Sequence, residues 1–379
     1  MLALALFLAT SLLGTSLLAG CSSKLTDPGP ATIEPAGAAT SPPPDRPPAG
    51  DVLALTGRPT AALFDPTTSS LAVFTPGADP QAPGTLTIIG PAGAARPVAL
   101  PAGTTAIAGD GKGAVYATTR GGFVTVDLAT GGLAATTIDG HDATDFTAVA
   151  RRVDGRLLVG SAAGAVYVLA DQTSSGQTDS GQTGSDQTGS DQTGSNQTSS
   201  GQTGSGQTGS DQTRVTAETT IFSRVDAIVT EGETAVVLDR AQTSVTALNQ
   251  QGAVQQALRA GLGATTIAAD PAGRVLVTDT RGGQLLVFSV DPLIQRQGYP
   301  IGESPYAIAS SNTLVWVSQT AINSVAGYDL GTGIPVEKVR YPTVRQPNSL
   351  AFDEVSGTLY VVSGSGDGIQ VIRDAAGAP

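Results

Sequence analysis

The chain has 379 residues, of which 14% are charged, and it contains 48 Gly and 24 Pro; so few charges and so many turn-formers argue against a protein of long solvated helices. Its 32 acidic and 20 basic side chains leave a net charge of −12 at pH 7, which argues against non-specific binding to nucleic acid or to anionic lipid headgroups. Cys21 is the only cysteine, so neither an intrachain disulfide nor a cysteine-based metal cage can form.

Residues 1–20, MLALALFLATSLLGTSLLAG, form an apolar run of export-signal length that ends in small residues. Leu18-Ala19-Gly20-Cys21 matches a lipobox. Small residues before the cut let a peptidase seat the backbone, and the thiol at the first mature position takes a diacylglycerol thioether. The expected cleavage therefore falls between Gly20 and Cys21. A transmembrane helix would fit the apolar run, but the small-residue end followed at once by a polar, Pro-rich stretch fits cleavage better. No Lys or Arg precedes the run, a departure from the usual basic start that an initiation site upstream of Met1 would explain. The mature protein is thus expected to be held by its acyl chains on the extracytoplasmic face of the cell membrane.

Residues 21–50 carry Pro28, Pro30, Pro35, Pro42, Pro43, Pro44, Pro47 and Pro48. This composition predicts a disordered, semi-extended linker that lifts a domain away from the membrane.

From residue 51 to 375 the chain is strand-like. One apolar strand recurs at Leu71-Ala72-Val73-Phe74, Ala114-Val115-Tyr116-Ala117, Leu157-Leu158-Val159-Gly160, Ala235-Val236-Val237-Leu238, Val275-Leu276-Val277-Thr278, Leu314-Val315-Trp316-Val317 and Leu359-Tyr360-Val361-Val362. A second strand follows each after a short loop, from Leu86-Thr87-Ile88-Ile89 to Ile369-Gln370-Val371-Ile372. Turn residues such as Asp110-Gly111 and Asp154-Gly155 precede most copies. All spacings but one lie between 39 and 45 residues. The exception, 157 to 235, contains the 42-residue tract 172–213 of near-identical Gln/Thr/Ser/Gly pentapeptides, and subtracting it from the 78-residue interval leaves 36. Seven copies of a four-stranded unit predict an all-β fold, a seven-bladed β-propeller. Asp51–Gly57 lies before the first copy, and the last copy lacks a fourth strand. The N-terminal strand is therefore expected to close the ring by completing blade seven, which removes open sheet edges. The tract 172–213 cannot bury apolar area and is expected to be a disordered insert in blade three; its Thr and Ser could carry O-linked sugar, or it could be a bare spacer.

Ile301-Gly302-Glu303-Ser304-Pro305-Tyr306-Ala307-Ile308-Ala309 and Gln346-Pro347-Asn348-Ser349-Leu350-Ala351-Phe352-Asp353 resemble the blade openings of YVTN/YncE-like and NHL-like propellers. The resemblance covers residues 51–375 and implies fold rather than activity, because such propellers serve many functions. Three Lys against seventeen Arg, with the Ala/Gly/Pro richness, is similar to the composition of actinobacterial-type lipoproteins.

Chemistry-bearing residues are few, and no catalytic residue, metal ligand or cofactor is assigned. His141 is the only histidine, which excludes a site built on several imidazoles; in Gly140-His141-Asp142 it reads as a loop residue between blades. Glu303, Asp145, Asp226 and Asp367 could converge on the channel as oxygen ligands for Ca²⁺, but the favoured reading is that these residues cap turns, Asp367 in a hairpin turn at Gly364–Gly368. Trp316, the only tryptophan, lies inside a strand and reads as core.

Strand direction singles out one more group. In a propeller blade the innermost strand starts at one face, and the loops between the second and third strands return to that face. Arg120, Arg240 and Arg281 occupy such loops, while Arg58, Arg224 and Arg345 sit just before innermost strands. These six are expected around one mouth of the channel, where guanidinium groups would take a carboxylate or phosphate. The reading is a monomeric, lipid-anchored binding or scaffold module for a protein or anionic envelope ligand, with no nucleic-acid partner. The alternative is a metal-dependent hydrolase or lactonase using carboxylates at the mouth.

Overall fold

The computed structural model describes residues 31–170 and 211–377. Residues 1–30, which include the expected signal peptide, Gly20 and Cys21, lie outside the described residues, as does most of the pentapeptide tract.

Seven antiparallel sheets form the ring of a β-propeller. In blade one the strands run, inner to outer, Ala61–Asp65, Ser70–Thr75, Pro83–Ile89 and Ala95–Ala102. The inner strands of the seven blades line a central cavity of about 550 Å³. The second strands are the most deeply buried: Leu71, Ala72, Val73 and Phe74 in blade one and Val236, Val237 and Leu238 in blade four have almost no exposed surface. Both faces of these strands are covered, so they read as continuous apolar runs instead of alternating ones. The outer strands have a solvent face, as in Val254–Arg259, where five of six side chains are exposed.

The core lies between blades. Val236, Leu238 and Val245 of blade four pack with Val275, Val277, Leu286 and Phe288 of blade five. Each fully buried Val, Leu or Phe contributes about 1.5–3 kcal/mol, so every blade depends on both neighbours. The same packing joins the two ends of the chain: Leu71, Val73 and Ile89 of blade one meet Ala351, Val362 and Ile369 of blade seven, with Leu53 against them.

Ring closure uses the N-terminal strand. Asp51–Leu53 pairs antiparallel with Ile369–Ile372, and Val52 faces Gln370. Because this strand is fourth and outermost in its sheet, the last blade is built from both termini.

Two expectations need correction. Residues 31–50 are not a disordered linker: residues 33–42 are bonded along the face where the inner strands begin, with Ala36 and Ser41 buried, and Ala49 N donates to Pro342 O at 3.1 Å just before the closing strand. Composition gave no sign of this, since the order comes from side chains two to three hundred positions away. The last three residues of the pentapeptide tract are also ordered. Asp211–Thr213 runs parallel to Leu133–Ile138 as a fifth strand of blade two, because the outer edge of that blade offers unpaired backbone groups that extended chain can satisfy.

Blade three is completed by Val215–Thr219, which pairs with Val166–Leu169. Ala170 N donates to Arg214 O at 2.8 Å, so the chain on either side of the tract is held together. Loop closure depends only weakly on length. Deleting residues 172–210 should therefore shift the melting temperature by less than roughly 4 °C, the change about 1 kcal/mol produces in large domains. Differential scanning calorimetry measures this directly, and a larger drop would mean that the tract supports the fold.

Candidate functional site: the arginine mouth

All six arginines lie on the face where the inner strands begin, as the strand order requires, but they do not form one open cluster. Three of them hold residues 34–41. Arg281 Nη2 donates to Glu34 O at 2.7 Å, Arg345 Nε donates to Ser41 O at 3.1 Å, and Arg240 Nη2 donates to Ala36 O. The N-terminal segment thus crosses the rim as a strap from blade four to blade seven, entering where Ile33 N donates to Ala241 O at 2.7 Å.

Uncharged side chains complete the grip. Gln346 Nε2 donates to Ala39 O at 2.9 Å, its Oε1 accepts from Ser41 N at 3.0 Å, and its own backbone N donates to Ser41 Oγ at 3.1 Å. Ser304 Oγ accepts from Ala39 N at 3.1 Å, Asn323 Nδ2 donates to Pro42 O at 2.8 Å, and Ser41 Oγ donates to Thr320 O at 2.6 Å. Ser304, Asn323 and Gln346 all have positive φ, at 55°, 48° and 55°. Non-glycine residues pay for that conformation, and such strain gathers at ligand clamps. Sequence reasoning missed these three. For Ser304 and Gln346 the signal was the Xaa-Pro pair that opens the inner strands of blades six and seven, Ser304-Pro305 and Gln346-Pro347; Asn323 carried no such signal.

The remaining arginines lie outside the strap's grip. Arg120 Nη1 is 3.3 Å from Asp145 Oδ1, with both side chains more than 60% exposed, so the pair adds little stability. Arg224 Nε is 3.3 Å from Asp226 Oδ1. Asp226 also accepts from Arg240 N at 2.8 Å. Burial pushes its carboxyl above the usual range; the Arg240 amide and the Arg240 and Arg224 charges pull it down, and Asp239 adds to the rise. Arg58 is exposed and makes no ion pair among the described residues.

The two buried carboxylates at this rim are structural. Asp239 accepts backbone N–H bonds from Ser223, Arg224 and Gln242. Asp279 does the same one blade later, from Leu262, Gly263 and Gly282. Each stitches a blade's second strand to the link that precedes the blade. The glycines around Asp279 follow from this, since a Cβ at Gly261 or Gly282 would lie 2.0 Å from its carboxylate.

The carboxylates considered as Ca²⁺ ligands do not converge. Asp145 and Asp226 pair with arginines, Glu303 is exposed, and Asp367 accepts from Ser365 Oγ and from Ser363 Oγ at 3.4 Å. Among the described residues no group of three or more His, Cys, Asp or Glu is placed to hold a metal ion. His141 packs edge-on against Tyr167 with ring centroids 4.5 Å apart. Trp316 is fully buried and stacks on Phe352 at 5.9 Å.

No family model matches the chain, and no curated protein matches it. The fold, however, is similar to solved propellers. A streptogramin B lyase structure superimposes with a TM-score of 0.62 at 10% identity, covering 85% of this chain and 97% of that one. Virginiamycin B lyase from Staphylococcus aureus gives 0.58 at 11% identity, covering 84% and 97%. A chain of a mitotic checkpoint complex gives 0.62 at 11% identity, covering 89% and 98%. The chain is a seven-bladed β-propeller. Two of these similar structures are lyases and one belongs to a protein complex, and at 10–11% identity the likeness shows the fold alone.

Proposed function

We propose that this protein is a lipid-anchored, extracytoplasmic binding or scaffold module, attached to the cell membrane through Cys21 and carrying an anion-recognising mouth. The observation that carries the reading is the rim itself: Arg240, Arg281, Arg345, Gln346, Asn323 and Ser304 already hold an extended segment by its backbone. A surface that satisfies a peptide's carbonyls and amides with preorganised side chains is a recognition surface, and here half of it is occupied by the protein's own tether. The YVTN/YncE-like blade openings support the same reading, because Ser304 and Gln346 within them make the contacts.

The anion-binding role then falls to Arg58, Arg120 and Arg224 on the uncovered half. Each is exposed or weakly paired, and a bidentate carboxylate or phosphate would compete with the 3.3 Å contacts to Asp145 and Asp226. Replacing all three by Ala should weaken crosslinked capture of envelope components from intact cells, and the loss should shrink as salt rises. A capture profile unchanged by the triple substitution at low ionic strength would place binding elsewhere on the molecule.

A further inference from the structure

We propose that the groove between blades one and seven, on the face opposite the mouth, binds a neutral saccharide. The site lies apart from the anion-recognising mouth and needs neither that reading nor the anchor at Cys21.

The groove is built where the two ends of the chain meet. It encloses about 570 Å³, a volume typical of small-molecule sites. Its walls come from the closing strand at Asp51, the chain just after Ile372, and the turns at the far end of blade one. Phe64 and Tyr360 meet across the seam and stack, with ring centroids 5.7 Å apart and planes 13° from parallel. Both are half-buried and pack on the cluster that contains Leu71 and Ile89. The result is an apolar floor that keeps aromatic surface open to a ligand.

Backbone strain marks the rim. Among the described residues, seven that are not glycine have positive φ. Five lie on the mouth face: Thr243, Glu303, Ser304, Asn323 and Gln346. The other two, Ser69 at 49° and Asp374 at 48°, both line this groove. Strain of this kind collects at ligand clamps. Ser69 carries the comparison further. The turns at 66–69 and 354–357 have the same length, and the second has Gly357, at φ 66°, where the first has Ser69. Glycine takes that conformation without steric cost, so serine at 69 is strained where its hydroxyl borders the groove.

The charges select the ligand class. Arg373 Nη1 pairs with Asp51 Oδ2, both side chains largely exposed, and Asp374 lines the same groove. A simple anion would meet Asp51 and Asp374, and a simple cation would meet Arg373. A guanidinium only donates, a carboxylate only accepts, and a hydroxyl does both, so neighbouring hydroxyls on one ring satisfy all three groups. Tyr360 adds a hydroxyl that stays a donor: burial and then the Asp353 charge push its pKa up, while Arg373 pulls it down. A pyranose offers an apolar C–H face to the two aromatic rings and hydroxyls around its edge to the polar rim.

The test is isothermal titration calorimetry on the full-length protein in detergent. The probes are maltotriose, cellotriose, mannobiose and diacetylchitobiose, with digalacturonate and the cationic glucosamine disaccharide as charged controls. At least one neutral probe should bind, more tightly than either charged control. Asp374→Ala should weaken that binding about tenfold, the loss of one charge-assisted hydrogen bond, and Ser69→Gly about fivefold, the loss of a neutral one. Ser69→Gly should also leave the melting temperature unchanged or higher, because it relieves strain, which separates a lost contact from a damaged fold. No binding of any neutral probe at millimolar concentration overturns the proposal. So does neutral binding that both variants retain in full, or tighter binding of a charged control. Each of these outcomes leaves the reading of the mouth and of the anchor untouched.

Discussion

Deletion of residues 31–54 should lower the melting temperature by at least about 10 °C and make the protein aggregate. The deletion removes the fourth strand of blade seven and leaves Ile369–Ile372 as a bare edge, although those four side chains are buried in the intact ring. It strips Leu53 from the cluster that welds blade one to blade seven. It also frees the strap contacts made by Arg240, Arg281, Arg345 and Gln346. Each hydrogen bond contributes about 0.5–1.5 kcal/mol net and each buried apolar side chain about 1.5–3 kcal/mol, while ordering the strap offsets part of the sum. A net loss of about 4 kcal/mol corresponds to roughly 10 °C in a domain of this class. Aggregation follows because an open apolar sheet edge pairs with other chains. Calorimetry with light scattering checks both effects, and a melting temperature within roughly 2 °C of the parent would show that the ring closes without this strand.

The second large effect concerns Asp279. Its side chain has no exposed surface and both oxygens are in use: Oδ2 accepts from Leu262 N at 2.9 Å, and Oδ1 accepts from Gly263 N at 2.8 Å and Gly282 N at 2.9 Å. Asp279→Ala leaves three backbone donors without a partner. At about 1–3 kcal/mol for each buried group, less what an entering water recovers, the loss should be about 3–5 kcal/mol. Asp279→Asn should cost about half as much, because one oxygen remains while the amide nitrogen confronts an N–H. Urea titration of both variants reads these values. If Asn equals wild type, the carboxylate does not hold the link between blades four and five.

The blades were legible because the second and third strands of each are buried on both faces and carry mostly apolar side chains. Leu71–Phe74 and Val275–Thr278 advertise themselves for that reason. Turn residues such as Asp110, which accepts from Lys112 N and Ala114 N, marked where blades turn, and the missing fourth strand after Ile372 located the closing strand at Asp51–Leu53. The mouth was half legible. Strand direction put six arginines on one face, but it could not show that Arg240, Arg281 and Arg345 serve the chain's own residues 34–41. That pairing joins positions more than two hundred residues apart, and the segment they hold has the Pro- and Ala-rich composition of a spacer. Asp211–Thr213 was hidden similarly: it continues the pentapeptide repeat, and only the open edge of blade two gives it structure.

The proposed function depends on attachment through Cys21, and the mature N-terminus tests that attachment most directly. Mass analysis of the purified membrane protein, with metabolic labelling by a fatty-acid probe, should find Cys21 as the first residue, carrying a diacylglycerol thioether. Cys21→Ser should abolish labelling, since a hydroxyl is too weak a nucleophile to take the lipid, and should leave precursor or shed protein. A mature terminus at another residue, or equal labelling of Cys21→Ser and the parent, would contradict lipid attachment at Cys21.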